Sequence, residues 1–103
     1  MSMQLLLAKT PSTTQKVVFD FISQLAVGET ISTQSVAATV WSGVDSNPSA
    51  IVSGAATSSG TKVTQAITGG NAGTIYKLVC TITTSASQTL QILGYLPVVG
   101  DPV

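Results

Sequence analysis

Residues 67–89, ITGGNAGTIYKLVCTITTSASQT, constrain the fold of this chain more than any other stretch. They open on a glycine-rich turn, Gly69-Gly70-Asn71-Ala72-Gly73, whose glycines suit the left-handed backbone of tight turns. Tyr76, Leu78, Cys80 and Ile82 then alternate with Lys77, Val79, Thr81 and Thr83. A period of two sends successive side chains to opposite faces, so this is a strand with one buried face. A polar turn over residues 85–88 leads into a second apolar run, residues 90–99, and the pair is predicted to form a β-hairpin closing a small all-β domain. Tyr76, just past a glycine turn and near the start of a strand, stands where immunoglobulin-like sandwiches place a corner tyrosine. Its hydroxyl is expected to hydrogen-bond backbone in the preceding turn.

The rest of the chain fits the same class. Residues 1–15 are predicted to be an extended arm, because Pro11 and the Ser12-Thr13-Thr14 run interrupt regular structure. Such an arm is either frayed or ordered against a neighbour. Val17, Phe19 and Phe21 alternate with Val18, Asp20 and Ile22, and their β-branched and aromatic content favours a strand over a helix. Gly28-Glu29 marks a turn before a long strand over residues 30–41, where Ile31 joins the face of Val36, Ala38 and Val40 only through a bulge, expected near Gln34-Ser35. Residues 42–48 read as a loop, 49–53 as a short strand, 54–60 as a flexible Ser/Ala/Gly connection and 62–68 as a further strand. The expectation is an immunoglobulin-like Greek-key β-sandwich of about seven strands over residues 16–99, with the arm before it and a tail at residues 100–103.

Composition sharpens the functional question. Only 8% of the 103 residues are charged and 44% are hydrophobic, against roughly 25% charged in an average soluble domain. Net and mixed surface charge keep small domains apart in solution, so the deficit points to a surface covered by other subunits. The four cations, Lys9, Lys16, Lys62 and Lys77, are dispersed and balanced by Asp20, Glu29, Asp45 and Asp101. Nucleic-acid binding needs clustered phosphate-neutralising cations and is not expected. The N-terminal apolar run covers only residues 5–8. A secretory signal needs on the order of 7–15 such residues and a spanning helix about 20, so neither export by that route nor membrane insertion is expected.

No catalytic constellation emerges. The chain has no histidine, which removes Ser–His and Cys–His nucleophiles and imidazole metal ligands. Cys80 is the single cysteine; it shares the inward phase of Tyr76, Leu78 and Ile82 and reads as a buried, inert thiol. The Asp45-Ser46-Asn47 loop is a fragment of a calcium loop at most, and a turn-forming Asx role suits it better. The glycine loop lacks the spacing and the Lys-Ser/Thr of a phosphate cradle. Trp41 can stack a sugar or a base, but a single Trp at a strand end more often fills a core or an interface. No catalytic, cofactor-binding or metal-binding residue is assigned, and the chain is not expected to be an enzyme.

Three segments carry a family resemblance: Gly28-Glu29-Thr30-Ile31-Ser32, Thr68-Gly69-Gly70-Asn71-Ala72-Gly73-Thr74-Ile75-Tyr76, and Cys80-Thr81-Ile82-Thr83-Thr84-Ser85. With Phe19-Asp20-Phe21 downstream of Pro11, they resemble the small Ig-like proteins of tailed bacteriophages described as fiber–tail adaptor-like. The resemblance spans roughly residues 11–90. The chain departs from it at Ser87, where a glycine is common, and over residues 90–96, which are apolar on both faces where family members tend to be charged. The resemblance implies a non-enzymatic virion component located in the virion, and in host cytoplasm during assembly. It serves as capsid decoration, a neck or adaptor protein, or a tail or fiber attachment, and its partners are other capsid, neck or tail proteins and copies of itself. The rival reading is a carbohydrate- or surface-binding Ig-like module using Trp41, Tyr76 or Tyr95.

Overall fold

Strict alternation in residues 74–84 becomes a strand in which buried and half-buried positions succeed one another without a break. The computed structural model describes residues 2–5, as backbone, and residues 14–99. Its strands are β1 (Ser2–Leu5), β2 (Thr14–Asp20), β3 (Ile31–Ser42), β4 (Val52–Ser59), β5 (Lys62–Thr68), β6 (Thr74–Thr84) and β7 (Thr89–Val98). Among the described residues they build a four-stranded sheet, ordered β1-β7-β6-β3, and a three-stranded sheet, ordered β2-β5-β4. The pairings are antiparallel except β1 on β7, which is parallel. The protein is all-β, as its alternation predicts.

The core lies between the sheets. β2 sends Val17 and Phe19 inward, with Phe21 just past its end, and β5 adds Val63 and Ile67. β6 contributes Tyr76, Leu78, Cys80 and Ile82, and β7 contributes Ile92, Leu96 and Val98. Each large apolar side chain so buried contributes about 1.5–3 kcal/mol, which makes this interlayer the main source of stability.

Local details depart from the sequence reading in four places. The β3 bulge lies between Ile31 and Thr33 rather than near Gln34-Ser35, and a second register shift falls between Val40 and Ser42. The first shift restores phase, so Ile31, Val36 and Val40 all pack against the core. Of the strand expected over 49–53 only Val52 and Ser53 are strand, as the start of β4: Pro48–Ile51 form one 3-10 turn that buries Ile51.

The expected flexible connection at 54–60 is instead most of β4. Its Ser/Ala/Gly sequence has little intrinsic strand preference, and its register with β5 breaks between Ser53 and Thr57. Two glutamines hold the break. Gln65 Nε2, on a fully buried side chain, donates to the carbonyls of Ser53, Gly54 and Ala66 at 3.0, 3.2 and 3.0 Å. Gln34 Nε2 donates to Ala56 O at 3.2 Å. Side-chain amides thus take over the ladder where β4 bulges, which backbone propensity alone does not foretell.

Within the segment expected as an arm, Ser2–Leu5 is a strand on its own chain. It runs beside β7 with Met3 opposite Leu93 and Leu5 opposite Tyr95. Backbone pairing to an otherwise open sheet edge supplies the reason. β2 begins at Thr14, inside the stretch expected as arm. The interruption at Pro11 and the tail at 100–103 lie outside the described residues.

Candidate functional site

Side-chain latches built around the carboxylates tie the loops of this sandwich together. Tyr76, fully buried, accepts a hydrogen bond at its hydroxyl from the Asn71 N–H at 2.8 Å and donates to Asp45 Oδ2 at 2.6 Å. The corner tyrosine expected from the sequence therefore bonds backbone in the glycine turn, and it reaches a second loop as well. Asn71 Nδ2 and Thr74 Oγ1 donate to Val44 O at 2.9 and 3.3 Å, which closes the same corner. Asp45 Oδ1 also accepts from the Asn47 N–H at 2.9 Å, the Asx turn that its neighbours suggested. The tight fit explains two glycines. Gly43 has φ +103° and a Cβ there would sit 2.8 Å from Thr74 Cα, while a Cβ on Gly70, φ +100°, would press on Val98 and Tyr76.

At the opposite end Glu29 takes the Ala26 N–H and the Thr84 hydroxyl, while Thr84 Oγ1 accepts from Ala86 and Gln88 N–H within the β6–β7 turn. Asp20 accepts from Ile22 N–H at 3.0 Å and from Thr61 Oγ1 at 2.8 Å, joining the end of β2 to the β4–β5 turn. The donated hydrogen bonds hold all three carboxyls below their ordinary pKa range, with the Thr61, Thr84 and Tyr76 hydroxyls as the largest causes for Asp20, Glu29 and Asp45. Burial raises the Tyr76 phenol, and the facing Asp45 raises it further. Burial pushes the Cys80 thiol up to about 12, which disfavours the thiolate form.

With the carboxylates committed to loops, the two outer sheet faces become the surfaces to compare. On the three-stranded sheet the outward positions of β2 and β5 are Lys16, Val18 and Asp20 opposite Ala66, Thr64 and Lys62. On the four-stranded sheet β6 presents Ile75, Lys77 and Val79, and β7 presents Leu93, Tyr95 and Pro97, with Val79 opposite Leu93 and Ile75 opposite Pro97. β7 is apolar on both faces without a bulge at Gly94, so Leu93 points outward and Ile92 inward.

Trp41 sits at the second register shift of β3, where a bulge re-aims a side chain. It is 60% exposed, so it is not a core residue. Its ring meets Tyr95 edge to face, centroids 5.2 Å apart at 65°, bridging across β6 from the strands on either side. Val44 and Val99 are exposed near the same end. Trp41 and Tyr95 are thus brought together, whereas Tyr76 is sealed in the core and offers no ring to a ligand. The sequence reading missed this pairing, because Trp41 and Tyr95 are 54 positions apart in sequence.

A surface hollow lined by Gln24, Thr89, Leu90 and Gln91 gathers no titratable side chain. Among the described residues no three Asp, Glu or Cys side chains group as metal ligands would. No helix there is long and apolar enough to cross a membrane.

The chain is thus a two-sheet β domain with an apolar, aromatic patch on one outer sheet face. The family is specific: residues 9–93 match the model of the podophage GP4 fiber-tail adaptor protein gp77 family, and the chain belongs to it. No curated protein matches the chain. Membership makes it a structural phage protein of the tail-adaptor kind, associated with other virion proteins.

Proposed function

We propose that this chain is a non-enzymatic joint in a tailed-phage virion, an immunoglobulin-like Greek-key module that attaches fiber to tail. Its organisation is an arm over residues 1–15, the last two of which already belong to β2, a sandwich over 16–99 and a tail over 100–103. The strand orders support the immunoglobulin assignment. β3-β6-β7 and β2-β5-β4 correspond to the C-F-G and B-E-D strands of that sandwich, with the first strand moved across to the last. Tyr76 at the start of β6, bonded back to the Asn71 N–H, occupies the corner position of the F strand.

Attachment works by burial of the outer face of the four-stranded sheet. The observation that carries this reading, beside family membership, is the cluster of Ile75, Val79, Leu93 and Tyr95 on that face, set against a mixed face on the other sheet where Lys16, Asp20, Lys62 and Thr64 accompany Val18 and Ala66. Capsid decoration and a neck position are the competing places within the same class. Quantitative mass spectrometry of purified particles, with and without stripped tails, tests the assignment. The chain is expected in a fixed ratio to the tail proteins, lost when tails are removed; a chain left on tailless shells would overturn it.

One observation favours a second reading. The exposed Trp41–Tyr95 pair offers an aromatic platform of the kind that stacks sugars. Iodide quenching of Trp41 fluorescence, repeated with host surface glycans added, separates the two: protection by glycan supports the platform, and protection only within particles supports attachment.

A further inference from the structure

Lys77 lies in the apolar part of its sheet face, and no carboxylate of the described residues stands in register beside it. Its cross-strand neighbours are Thr39 on β3 and Tyr95 on β7. Around it stand Ile75, Val79, Leu93 and the Trp41–Tyr95 pair, all outward on the same sheet. The carboxylates of the described residues are used elsewhere: Asp20, Glu29 and Asp45 each accept two hydrogen bonds in loop latches. Asp20 moreover faces Lys62 on the other sheet, so the cation there has a partner in register. Residues 1–13, which precede β2, contain no Asp or Glu.

Covering this face with protein would desolvate the ammonium of Lys77. An ion buried without a counter-charge is costly, and the penalty is offset only by an opposite charge in good geometry. A second copy of this chain, stacked face to face, would bring a second Lys77 and, among the described residues, no carboxylate outside the loop latches. Self-association through this face therefore places like charges together, and such juxtapositions act against a partner.

We infer that the outer face of the four-stranded sheet seats a different protein, whose contact surface is an apolar patch carrying an Asp or Glu that pairs with Lys77. This rests on the reading of the chain as a virion attachment module and names the chemistry of its partner. The apolar surround supplies burial; the Lys77 pair sets register and excludes the wrong occupant. The Trp41–Tyr95 rings form the anchor, since aromatic side chains dominate interface energetics.

The test is charge reversal in assembling particles, with a zero-length cross-link to identify the neighbour. Lys77→Glu and Lys16→Glu chains are produced in infected cells, and their incorporation into purified particles is compared with the wild type. Lys77→Glu is expected to cut incorporation by about tenfold or more, because a carboxylate then meets a carboxylate, while Lys16→Glu on the opposite sheet incorporates normally. Melting of the free chains serves as the control for folding, and both variants are expected to melt as the wild type does. Carbodiimide treatment of wild-type particles is expected to join Lys77 to an Asp or Glu of another virion protein. Normal incorporation of Lys77→Glu would overturn the inference, as would a Lys77 cross-link to a second copy of this chain. Absence of the wild-type chain from particles is a distinct result, which removes the attachment reading itself.

Discussion

Tyr76 and Asp45, 31 positions apart in the sequence, meet through a 2.6 Å hydrogen bond from a fully buried phenol to a loop carboxylate. The same hydroxyl accepts from Asn71 N–H, so one atom fixes the β3–β4 connection and the glycine turn together. Tyr76→Phe keeps the ring in the core and leaves both partners without that oxygen. A loss of about 1–2 kcal/mol in denaturant-derived stability is expected, the value of a net hydrogen bond plus a donor left unsatisfied. An unchanged midpoint would show that the latch contributes nothing.

The carboxylate latches make the fold acid-sensitive. Asp20, Glu29 and Asp45 have pKa values lowered in the folded chain. A lowered folded pKa contributes stability that is full above the unfolded value and is lost as pH falls through the folded one. The melting temperature is therefore expected to hold steady near neutrality and to drop once pH passes below about 4, the ordinary carboxylate range. Glu29→Gln should flatten part of that drop. A melting temperature independent of pH down to strong acid would contradict the latches.

Cys80 produces the opposite slope at high pH. Its thiol ionises at about 12 in the fold, against about 8.5 in an unfolded chain. A raised folded pKa gives stability that is full below the unfolded value and declines above it. Stability should fall above about pH 8.5, less so in Cys80→Val. Thiol reagents are expected to label native protein slowly and denatured protein fast; rapid native labelling would mean that β6 opens at its centre.

Ser87 is the one non-glycine residue with positive φ among the described residues, at +60°. It stands in the β6–β7 turn, where its N–H donates to Thr84 O at 2.9 Å. Left-handed backbone costs an L-residue roughly 1–2 kcal/mol, part of which glycine returns as extra freedom in the unfolded chain. Ser87→Gly is expected to raise stability by up to about 1 kcal/mol, read as a shift in denaturant midpoint. A lower midpoint would show that the serine side chain contributes more to the turn than its backbone costs.

Adjacent residues on β7 separate folding from assembly. Ile92 is 3% exposed in the core and Leu93 points to the outer face. Ile92→Lys buries an unpaired charge and is expected to unfold the chain. Leu93→Lys should melt close to the wild type yet fail to enter particles. Normal incorporation of Leu93→Lys would show that this face is not an attachment surface.

Much of this was legible in residues whose neighbours in sequence are also their neighbours in space. The alternation of Tyr76, Leu78, Cys80 and Ile82 predicted the inner face of β6, and the glycine turn before it predicted the bond of Tyr76 to backbone. The bulge in β3 was inferred from the phase of Ile31, although its position depends on pairing with Thr83 and Thr84, which local sequence does not contain. Residues 54–59 of β4 read as a flexible connection in sequence because Gln34 and Gln65, which hold its bulge, come from other strands. Long-range partners hid the surface in the same way. Trp41 acquires its outward aim from a register shift against β6, and its partner Tyr95 comes from β7.

The most direct test of the central claim is cryo-electron microscopy of purified particles, with density for this chain sought between tail and fiber. The sandwich is expected at that junction, its β6–β7 outer face against another virion protein and Trp41 and Tyr95 inside the contact. Density for the chain with that face open to solvent, or no density for it on the particle, would contradict the account.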